Sequence, residues 1–383
     1  MRQVVIKGGE VHVTPGEGGK IADILLQDGQ VKQIGSVTMP EGATVIDVTG
    51  SLVTPALTDI HTHIYWGATA LGVRPEIAAT RSGTGTFVDA GSAGAANILG
   101  FREFIHKPSP FNTLAYLNIS FPGIYGFSPK VMVGEAENPA LLDVETCVEA
   151  AKEFSDIIVG IKVRAGRLAA GENGANALER GLQAAEKAKL PLMCHIDLDP
   201  PHIEDILANL RPGDILTHCC RPEPNAPVKE GQIREIAWMA KERGVLFDIG
   251  HGMGGFSFDT CRNMLREGFV PDLISSDIHC MSIDGPAFDA LTTLNKLLAL
   301  GVNFDKALAA TTTTPAKIIG RPELGRIQVG STANIAVFNR NGGAHSLTDA
   351  TGETIEFDKA LRCMHLIARG VMHTGQTSPA DLA

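Results

Sequence analysis

The stretch TPALTDIHTH, residues 54–63, starts as an apolar run and ends in two histidines that a single threonine separates. Side chains at alternate positions of a strand point to the same side of it. His61 and His63 are therefore expected to face one direction together. Two imidazoles at the end of an otherwise apolar strand are costly to bury without partners, so this strand end predicts a site for chemistry.

Further short apolar runs follow, separated by segments whose apolar residues recur near the 3.6-residue period of a helix. Strands that are apolar on both faces and alternate with helices predict a parallel sheet. Eight such units in about 270 residues predict a (β/α)8 or TIM barrel, which we assign to residues 53–321. A doubly wound open sheet is the alternative, although no glycine-rich phosphate-binding sequence follows the first strand. The later runs are GTFVDAG, LAYLNIS, IIVGIKV, LPLMCHI, DILTHC, VLFDIG and PDLISSD.

Both ends of the chain have a different texture, with short alternating strands that glycine turns separate. ADILLQDG and QVKQIG near the start resemble NIAVFN and GETIEF near the end in this respect. Neither end has enough strands to form a good core by itself. We therefore predict one small β-sandwich domain assembled from residues 1–52 and 322–383.

The composition excludes some classes of partner. The net charge of the 383-residue chain is −10 and no basic stripe is visible, which argues against nucleic-acid binding. The seven cysteines include no CxxC pair, as expected of reduced thiols. We find no apolar segment in the sequence as long as the core of a signal peptide or a membrane span. We therefore expect a cytoplasmic protein with a small-molecule substrate and no membrane partner. Formation of a homo-oligomer is possible, and the sequence does not determine it.

The barrel prediction places chemistry at the carboxyl ends of the strands, where active sites of this fold lie. One histidine at a strand end is more often a core residue than a ligand, but several that converge predict a metal site. Imidazole nitrogens and carboxylates are ligands for a divalent ion such as Zn²⁺. Besides His61 and His63, the candidates at strand ends are Lys162, His195, His218, Asp248, His251 and Asp277.

Lys162 differs from the other candidates because an ammonium group has no lone pair for a metal. Burial and nearby positive charge lower the pKa of a lysine and favour the neutral amine. A neutral amine reacts with carbon dioxide to give a carbamate, which offers oxygen atoms to two ions. The alternative is a lysine that caps a helix or pairs with a carboxylate.

This pattern of strand ends resembles the binuclear metal-dependent amidohydrolase superfamily, and the resemblance covers nearly the whole chain. IADILLQDGQVKQIG and LGRIQVGSTANIAVFN resemble the flanking β-domain sequences of that superfamily, with Asn334 where aspartate is usual. GIKVRAG, VLFDIGHGMGGFSF and DAGSAGAANILGF resemble a dihydroorotase-like branch that includes deacetylases of small acylated acids. True dihydroorotases usually carry an arginine two positions after the HxH pair, and here that position is Tyr65.

The resemblance implies a pair of divalent ions, with zinc the expected metal, and a hydroxide that bridges them. Asp277 is implied to be catalytic, first as the base that takes the proton of the hydroxide and then as an acid. The implied reaction is hydrolysis of an amide or ester bond of a small acylated carboxylic acid, as in a deacetylase. The implied metal ligands are His61, His63, Asp277, His195, His218 and N6-carboxylated Lys162, which bridges the ions.

Three residues are candidates for contact with the substrate. Arg164 lies two positions after Lys162, and a guanidinium fork suits a carboxylate, although a surface ion pair is the alternative. His251 in the glycine-rich GHGMGG loop is a candidate hydrogen-bond donor, and Tyr65 is a candidate for the pocket wall. A tight turn or simple packing would explain these two equally well.

Other functions share parts of this pattern. A cyclic-amide hydrolase of the dihydroorotase or hydantoinase type would use the same metal chemistry. A metal-dependent lyase or decarboxylase would release carbon dioxide instead of an acid with an amine or alcohol. An inactive relative that serves as a binding subunit would have no need of the metal and would purify without it.

Overall fold

The structure is a computed structural model, and it describes residues 3–340 and 343–373. The outer limits of the predicted small domain, residues 1–2 and 374–383, lie outside the described residues, as do residues 341–342. The strands are β1 (Gln3–Val11), β2 (Lys20–Gln27), β3 (Gln30–Gly35), β4 (Thr44–Asp47), β5 (Leu52–Pro55), β6 (Leu57–Thr62), β7 (Thr84–Gly94), β8 (Asn112–Asn118), β9 (Gly126–Phe127), β10 (Met132–Val133), β11 (Ile158–Arg164), β12 (Leu192–His195), β13 (Ile215–Thr217), β14 (Val228–Lys229), β15 (Gln232–Ile233), β16 (Leu246–Asp248), β17 (Ile335–Asn339), β18 (His345–Thr348), β19 (Thr354–Phe357), β20 (Arg362–Ala368) and β21 (Val371–His373).

Helices occupy the segments between the barrel strands, as the 3.6-residue period predicted. Helix α5 shows why it packs where it does: an added Cβ at its Gly181 would lie 3.2 Å from Val163 Cβ of β11, so the missing side chain brings helix and strand together. In the described part of the chain, no helix is long and apolar enough to span a membrane. The helices are α1 (Pro75–Ser82), α2 (Ile98–Phe101), α3 (Val144–Glu153), α4 (Arg167–Ala170), α5 (Gly174–Ala188), α6 (Ile203–Asn209), α7 (Glu235–Arg243), α8 (Phe258–Arg266), α9 (Ala290–Ala299), α10 (Phe304–Ala310) and α11 (Thr313–Ile318), with a π-helical turn at Arg102–His106 and 3₁₀ turns at Pro139–Leu141, Gly171–Asn173 and Pro322–Gly325.

The central sheet has seven parallel strands in the order β16-β13-β12-β11-β8-β7-β6. Strands β7 and β11 are buried along their whole length, because one face lies inside the sheet's curve and the other lies under helices. Strand order follows chain order, and helices connect most neighbouring strands. The structure therefore shows a TIM-barrel-like domain, as the alternating pattern predicted.

The eighth predicted strand, PDLISSD, is not a regular strand. Leu273 bridges Asp248 and Ile278 bridges Thr62, so residues 273–278 link the two edges of the seven-stranded sheet by isolated contacts. Two local features interrupt the ladder. The backbone N–H of Ser276 donates to Asp59 Oδ1 at 3.0 Å instead of to a strand carbonyl, and Asp277 adopts a φ of 48°, which an extended strand does not contain.

A second sheet contains strands from both ends of the chain, in the order β21-β20-β17-β5-β1-β2-β3, with β4 paired to β1. Its core joins the two ends, since Ile6 and Ile24 share one cluster with Ile335 and Ile367. The register between β1 and β2 shifts between Ile6 and Gly9 of β1. Strand β5 leads directly into β6, so the HxH stretch crosses from this additional domain into the barrel-like domain.

Candidate metal centre and substrate cavity

The structure brings His61, His63 and Asp277 together at the carboxyl end of the central sheet. His63 Nε2 lies 3.1 Å and His61 Nε2 lies 3.3 Å from Asp277 Oδ1. One ligand atom from each residue lies within 4.8 Å of the other two, and all three residues are buried. Residues separated by more than 200 positions in the chain therefore meet, as the strand-end argument predicted.

The other candidate ligands lie beside this cluster. His195 Nδ1 and His218 Nε2 are 2.7 Å apart, and the rings of His61 and His218 have centroids 5.2 Å apart. Lys162 Nζ lies 3.3 Å from His61 Nε2. His61 is thus the residue that joins the two halves of the cluster.

A hydrogen-bond chain below the cluster determines the tautomer of His61. Thr217 Oγ1 donates to Asp248 Oδ2 at 2.7 Å, so its oxygen is left to accept from His61 Nδ1 at 2.8 Å. The proton of His61 is then on Nδ1, and the lone pair of Nε2 faces Asp277. Asp248, a strand-end candidate in the sequence, therefore lies behind His61 as the anchor of this chain.

The tautomer of His218 follows from a similar contact. Its Nδ1 lies 2.6 Å from the carbonyl oxygen of Gly250, and because a carbonyl only accepts, Nδ1 carries the proton. The Nε2 lone pair of His218 then faces His195. Burial lowers the pKa of His218 to about 3 and lowers the pKa of His61 and His195 well below the usual range, so all three imidazoles are neutral near pH 7, which is the form that binds metals.

The donor set fits a divalent ion. Asp277 Oδ1 is buried and has no hydrogen-bond partner, while the lone pair of His61 Nε2 points toward it at 3.3 Å. Two lone pairs that face each other require a cation between or beside them. Ligand atoms on one tetrahedral zinc ion lie roughly 3.3 Å apart, which matches the separations of 3.1 and 3.3 Å in this cluster.

Lys162 is fully buried on β11. No carboxylate among the described residues lies within ion-pair distance of its ammonium group, and its hydrogen-bond contact is His61 Nε2. Burial lowers the pKa of Lys162 to about 8, which makes the neutral amine accessible near neutral pH. Gly91, at a φ of 89°, makes room for this side chain, because an added Cβ would lie 2.7 Å from Lys162 Cγ.

A cavity of about 310 Å³ opens above the cluster, with His61, His63, His218 and Asp277 on its floor. This volume is that of a site for a small ligand. The exposed surface of the cavity is mostly apolar in area, although polar side chains also line its walls. The apolar wall residues are Leu71, Phe127, Met132, Leu168, Ile196 and Met253.

The structure places the three predicted substrate-contacting residues differently. Arg164 lines the cavity, but its Nε donates to Glu135 Oε1 at 2.9 Å. Tyr65 and His251 are not among the residues that line the cavity. A contact of Tyr65 or His251 with the substrate therefore stays a prediction, which this cavity does not support.

The local backbone explains why the two side chains turn away. Tyr65 lies beyond the end of β6, where the strand alternation no longer applies, and its hydroxyl donates to the carbonyl of Asn97 at 2.8 Å. His251 lies between Gly250 and Gly252, which have φ values of 49° and 51°. This loop turns the imidazole away from the cavity and stacks it on a phenylalanine.

Three polar residues of the cavity wall, Asp197, Arg221 and His279, were not predicted from the sequence. His279 lies two positions after Asp277, and its ring centroid is 6.2 Å from that of His63. The same alternation argument that selected the HxH pair would have found it. Arg221 follows His218 by three positions in a loop, and no periodic signal marks it.

Lys296 supports the His251 loop from behind. Its Nζ is buried, lies 2.7 Å from His251 Nε2, and donates to the carbonyls of Pro286 and Thr348 at 2.8 and 2.6 Å. These contacts join α9, the loop after β16 and strand β18. Lysine at this position is thus a connection between the barrel-like domain and the C-terminal hairpin.

We expect Lys296→Met to lower the free energy of unfolding by about 3 kcal/mol, because it leaves buried carbonyl groups without a donor. The change in the midpoint of urea unfolding, at constant slope, measures this effect. Lys317→Met, at an exposed position of α11, is the matched control and should change the free energy by less than about 0.5 kcal/mol. Equal midpoints for the two variants would contradict the supporting role of Lys296.

Comparisons with known proteins agree with this architecture. The model of the amidohydrolase family matches residues 52–359. A deacetylase of Agrobacterium fabrum is 34% identical over 334 residues, which cover 86% of this chain and 81% of the relative. A deacetylase of Brucella anthropi is 33% identical over 340 residues, which cover 88% of this chain and 84% of the relative.

Solved structures give the same result for the fold. A crystal structure described as that of a dihydroorotase matches with a TM-score of 0.90 and 29% identity, over 97% of this chain and 99% of the other. The predicted resemblance is therefore confirmed by the family model and by relatives above 30% identity. The chain belongs to the amidohydrolase family of hydrolases.

Proposed function

We propose that this protein is a metal-dependent hydrolase that removes the acyl group from a small N-acylated or O-acylated carboxylic acid. The observation that carries the proposal is the buried convergence of His61, His63 and Asp277 on the floor of a small-ligand cavity. The deacetylases of Agrobacterium fabrum and Brucella anthropi, which align over most of the chain, support an acyl substrate.

The proposed cofactor is a pair of divalent ions, with zinc as the expected metal. When bound, these ions would lower the pKa of a water molecule toward neutrality and polarise the substrate carbonyl. Neutral imidazoles, a carboxylate and a carboxylated lysine are the ligands that this chain offers. The residues proposed to hold the ions are His61, His63 and Asp277 for one ion, His195 and His218 for the other, and Lys162 for both.

Asp277 is the proposed base and acid. Burial by itself would raise the pKa of Asp277, but the imidazoles of His61 and His63 hold this pKa well below its usual range. The side chain is thus a carboxylate, which can accept a proton from the attacking water and return it to the leaving nitrogen or oxygen. Gly252 permits the loop to pass close by, because an added Cβ would lie 2.3 Å from Asp277 Oδ2.

Carboxylation of Lys162 completes the proposed ligand set. The neutral amine nitrogen would form a bond to the carbon of carbon dioxide and release a proton to solvent, which leaves an anionic carbamate. The full burial of Lys162, with no carboxylate of the described residues within ion-pair distance of its amine, supports this step. An unmodified ammonium group in this position would have only an imidazole to satisfy it.

We also propose details of the fold, the location and the partners of the protein. We take the barrel to be a closed (β/α)8 barrel, since residues 273–278 bridge both edge strands, and the other sheet to be part of a β-sandwich. The domain limits, 53–321 and 1–52 plus 322–383, stay predictions. A cytoplasmic location and the absence of nucleic-acid and membrane partners also stay predictions.

Hydrolysis of a cyclic amide is the second candidate. Its support is the TM-score of 0.90 with a chain described as a dihydroorotase. The metal chemistry is common to both candidates, so the substrate scaffold must distinguish them.

A substrate screen with the metal-loaded protein tests the proposal. We expect release of acetate from acyclic N-acetyl and O-acetyl acids, followed by proton NMR, at rates above those of ring opening for dihydroorotate and hydantoins. Metal analysis of the same sample should give about two ions per chain. Ring opening without acetate release would favour the cyclic-amide candidate, and turnover that survives exhaustive chelation would exclude both.

A further inference from the structure

We infer that Arg221, and not Arg164, binds the carboxylate of the substrate, and that the substrate is an acylated acid with an apolar side group. This inference rests on the proposed deacylase function. It assigns the specificity of the cavity to a residue that periodicity in the sequence did not reveal.

Arg164 is already satisfied by the protein. Its Nε donates to Glu135 Oε1 at 2.9 Å, and both side chains are buried, with Arg164 only 6% exposed. Its guanidinium carbon also lies 5.0 Å from the centroid of the Phe127 ring. A buried ion pair of this kind neutralises the charge of Arg164 and fixes the aromatic wall.

Arg221 lines the same cavity without such a partner. Arg221 is 9% exposed, and no carboxylate oxygen of the described residues lies within 4.0 Å of its guanidinium nitrogens. Its Nη1 donates a hydrogen bond to the carbonyl of Asn225 at 2.9 Å. Its other guanidinium N–H groups have no acceptor among the described residues, so an anionic ligand in the cavity would find donors there.

The carboxylate on this wall, Asp197, is engaged elsewhere. Its Oδ1 accepts the backbone N–H of Leu168 at 3.1 Å, and its Oδ2 lies 3.3 Å from His195 Nε2. Since His195 Nδ1 faces His218, Asp197 is placed to orient the His195 ring from its other nitrogen. Asp197 forms no ion pair with Arg221, although its charge acts on that guanidinium from a greater distance, so the N–H groups of Arg221 stay available to a ligand.

The loop that carries Arg221 is held in place. Its backbone N–H donates to the carbonyl of His218 at 3.1 Å, which ties the cation to a residue of the cavity floor. Asn225, the acceptor for Arg221, itself donates to the carbonyls of Asp197 and Pro201 at 3.1 Å. Because Arg221 follows the floor residue His218 by three positions, its guanidinium suits a substrate carboxylate close to the acylated atom, as in an α-substituted acid.

The walls beside Arg221 favour an apolar side group. Met132, Leu168 and Met253 line the cavity and are 53%, 58% and 47% exposed. A large apolar group on the substrate would cover these side chains and remove them from water. Because methionine adapts its shape to its contacts, we expect tolerance among apolar side groups of different size.

The test compares an N-acetyl amino acid that has an apolar side chain with its uncharged carboxamide, by acetate release. In the wild-type protein we expect kcat/KM for the acid to exceed that for the carboxamide by at least about 100-fold. Arg221→Met should reduce this ratio to near unity, mainly through KM for the acid. Arg221→Lys, which keeps the charge but loses the planar fork, should restore part of the ratio.

Arg164→Met is the matched control, and it should keep the preference for the acid whatever it does to the absolute rate. Metal content and circular dichroism of each variant show whether a lower rate reflects a lost fold. If Arg221→Met is insoluble, Arg221→Lys gives the result, with a ratio between the wild-type value and unity expected. Equal rates for acid and carboxamide in the wild type would overturn the inference and leave the deacylase function standing. Collapse of the ratio in Arg164→Met alone would also overturn it. No acetate release from these compounds or from the corresponding O-acetyl acids would remove the function itself.

Discussion

Asp277→Asn is expected to lower kcat by about 10³-fold or more while much of the bound metal remains. The amide of asparagine keeps an oxygen for one ion, but it cannot take a proton from water and return it to the leaving group. The substitution is nearly isosteric, so the contacts of the buried site change little. Single-turnover rates, together with metal analysis of the same sample, separate lost chemistry from lost metal.

Asp284→Asn provides the matched control, because Asp284 is an exposed aspartate seven positions further along the same segment. It should leave both the rate and the metal content near their wild-type values. A rate for Asp277→Asn within about tenfold of wild type would contradict the proton-transfer role. Loss of all metal in that variant would instead identify Asp277 as chiefly a ligand.

The central sheet could be predicted because its signal is local. Runs that are apolar at every position require burial on both faces, and the helical periods between them identify the crossover connections. Convergence of His61, His63 and Asp277 then follows from one general property of parallel sheets, that equivalent strand ends lie at one rim. These contacts join distant parts of the chain. They can be expected from the order of the strands alone, without knowledge of which residues are close in space.

The irregular parts could not be predicted because long-range contacts determine them. Residues 271–277 read as a strand, but the Asp59 carboxylate takes the N–H of Ser276 and interrupts the ladder. His251 reads as a cavity residue, but Lys296, located 45 positions away, holds its imidazole outside. Neither the acceptor Asp59 nor the donor Lys296 belongs to a periodic pattern that would reveal its role in the sequence.

Side-chain pairing also escapes a sequence-based argument. Arg164 was selected because its strand position was correct, and the structure places it at the cavity. Its charge is nevertheless satisfied by Glu135, which lies in a loop and carries no recognisable motif. Deciding which arginine is free requires knowledge of every nearby carboxylate, and only coordinates provide that.

Lys162→Met is expected to reduce the metal content by about one ion per chain or more and to lower kcat/KM by at least about 10³-fold. Methionine fills a buried volume similar to that of the lysine stem, so the fold should persist while the bridging group is lost. Without an anionic bridge, the remaining imidazoles would have to hold two positive ions that repel each other. Mass spectrometry under native conditions and metal analysis measure the loss.

A short carboxylic acid provides the decisive control for this variant. Propionate has the two oxygen atoms of a carbamate, so addition of millimolar propionate to Lys162→Ala, which leaves an open volume, should restore part of the metal content and rate. Lys152→Met, at an exposed position of α3, should leave both quantities unchanged. If metal content and rate of Lys162→Met equal those of wild type, the bridge is absent, and the close approach of Lys162 Nζ to His61 Nε2 at 3.3 Å is a simple hydrogen bond.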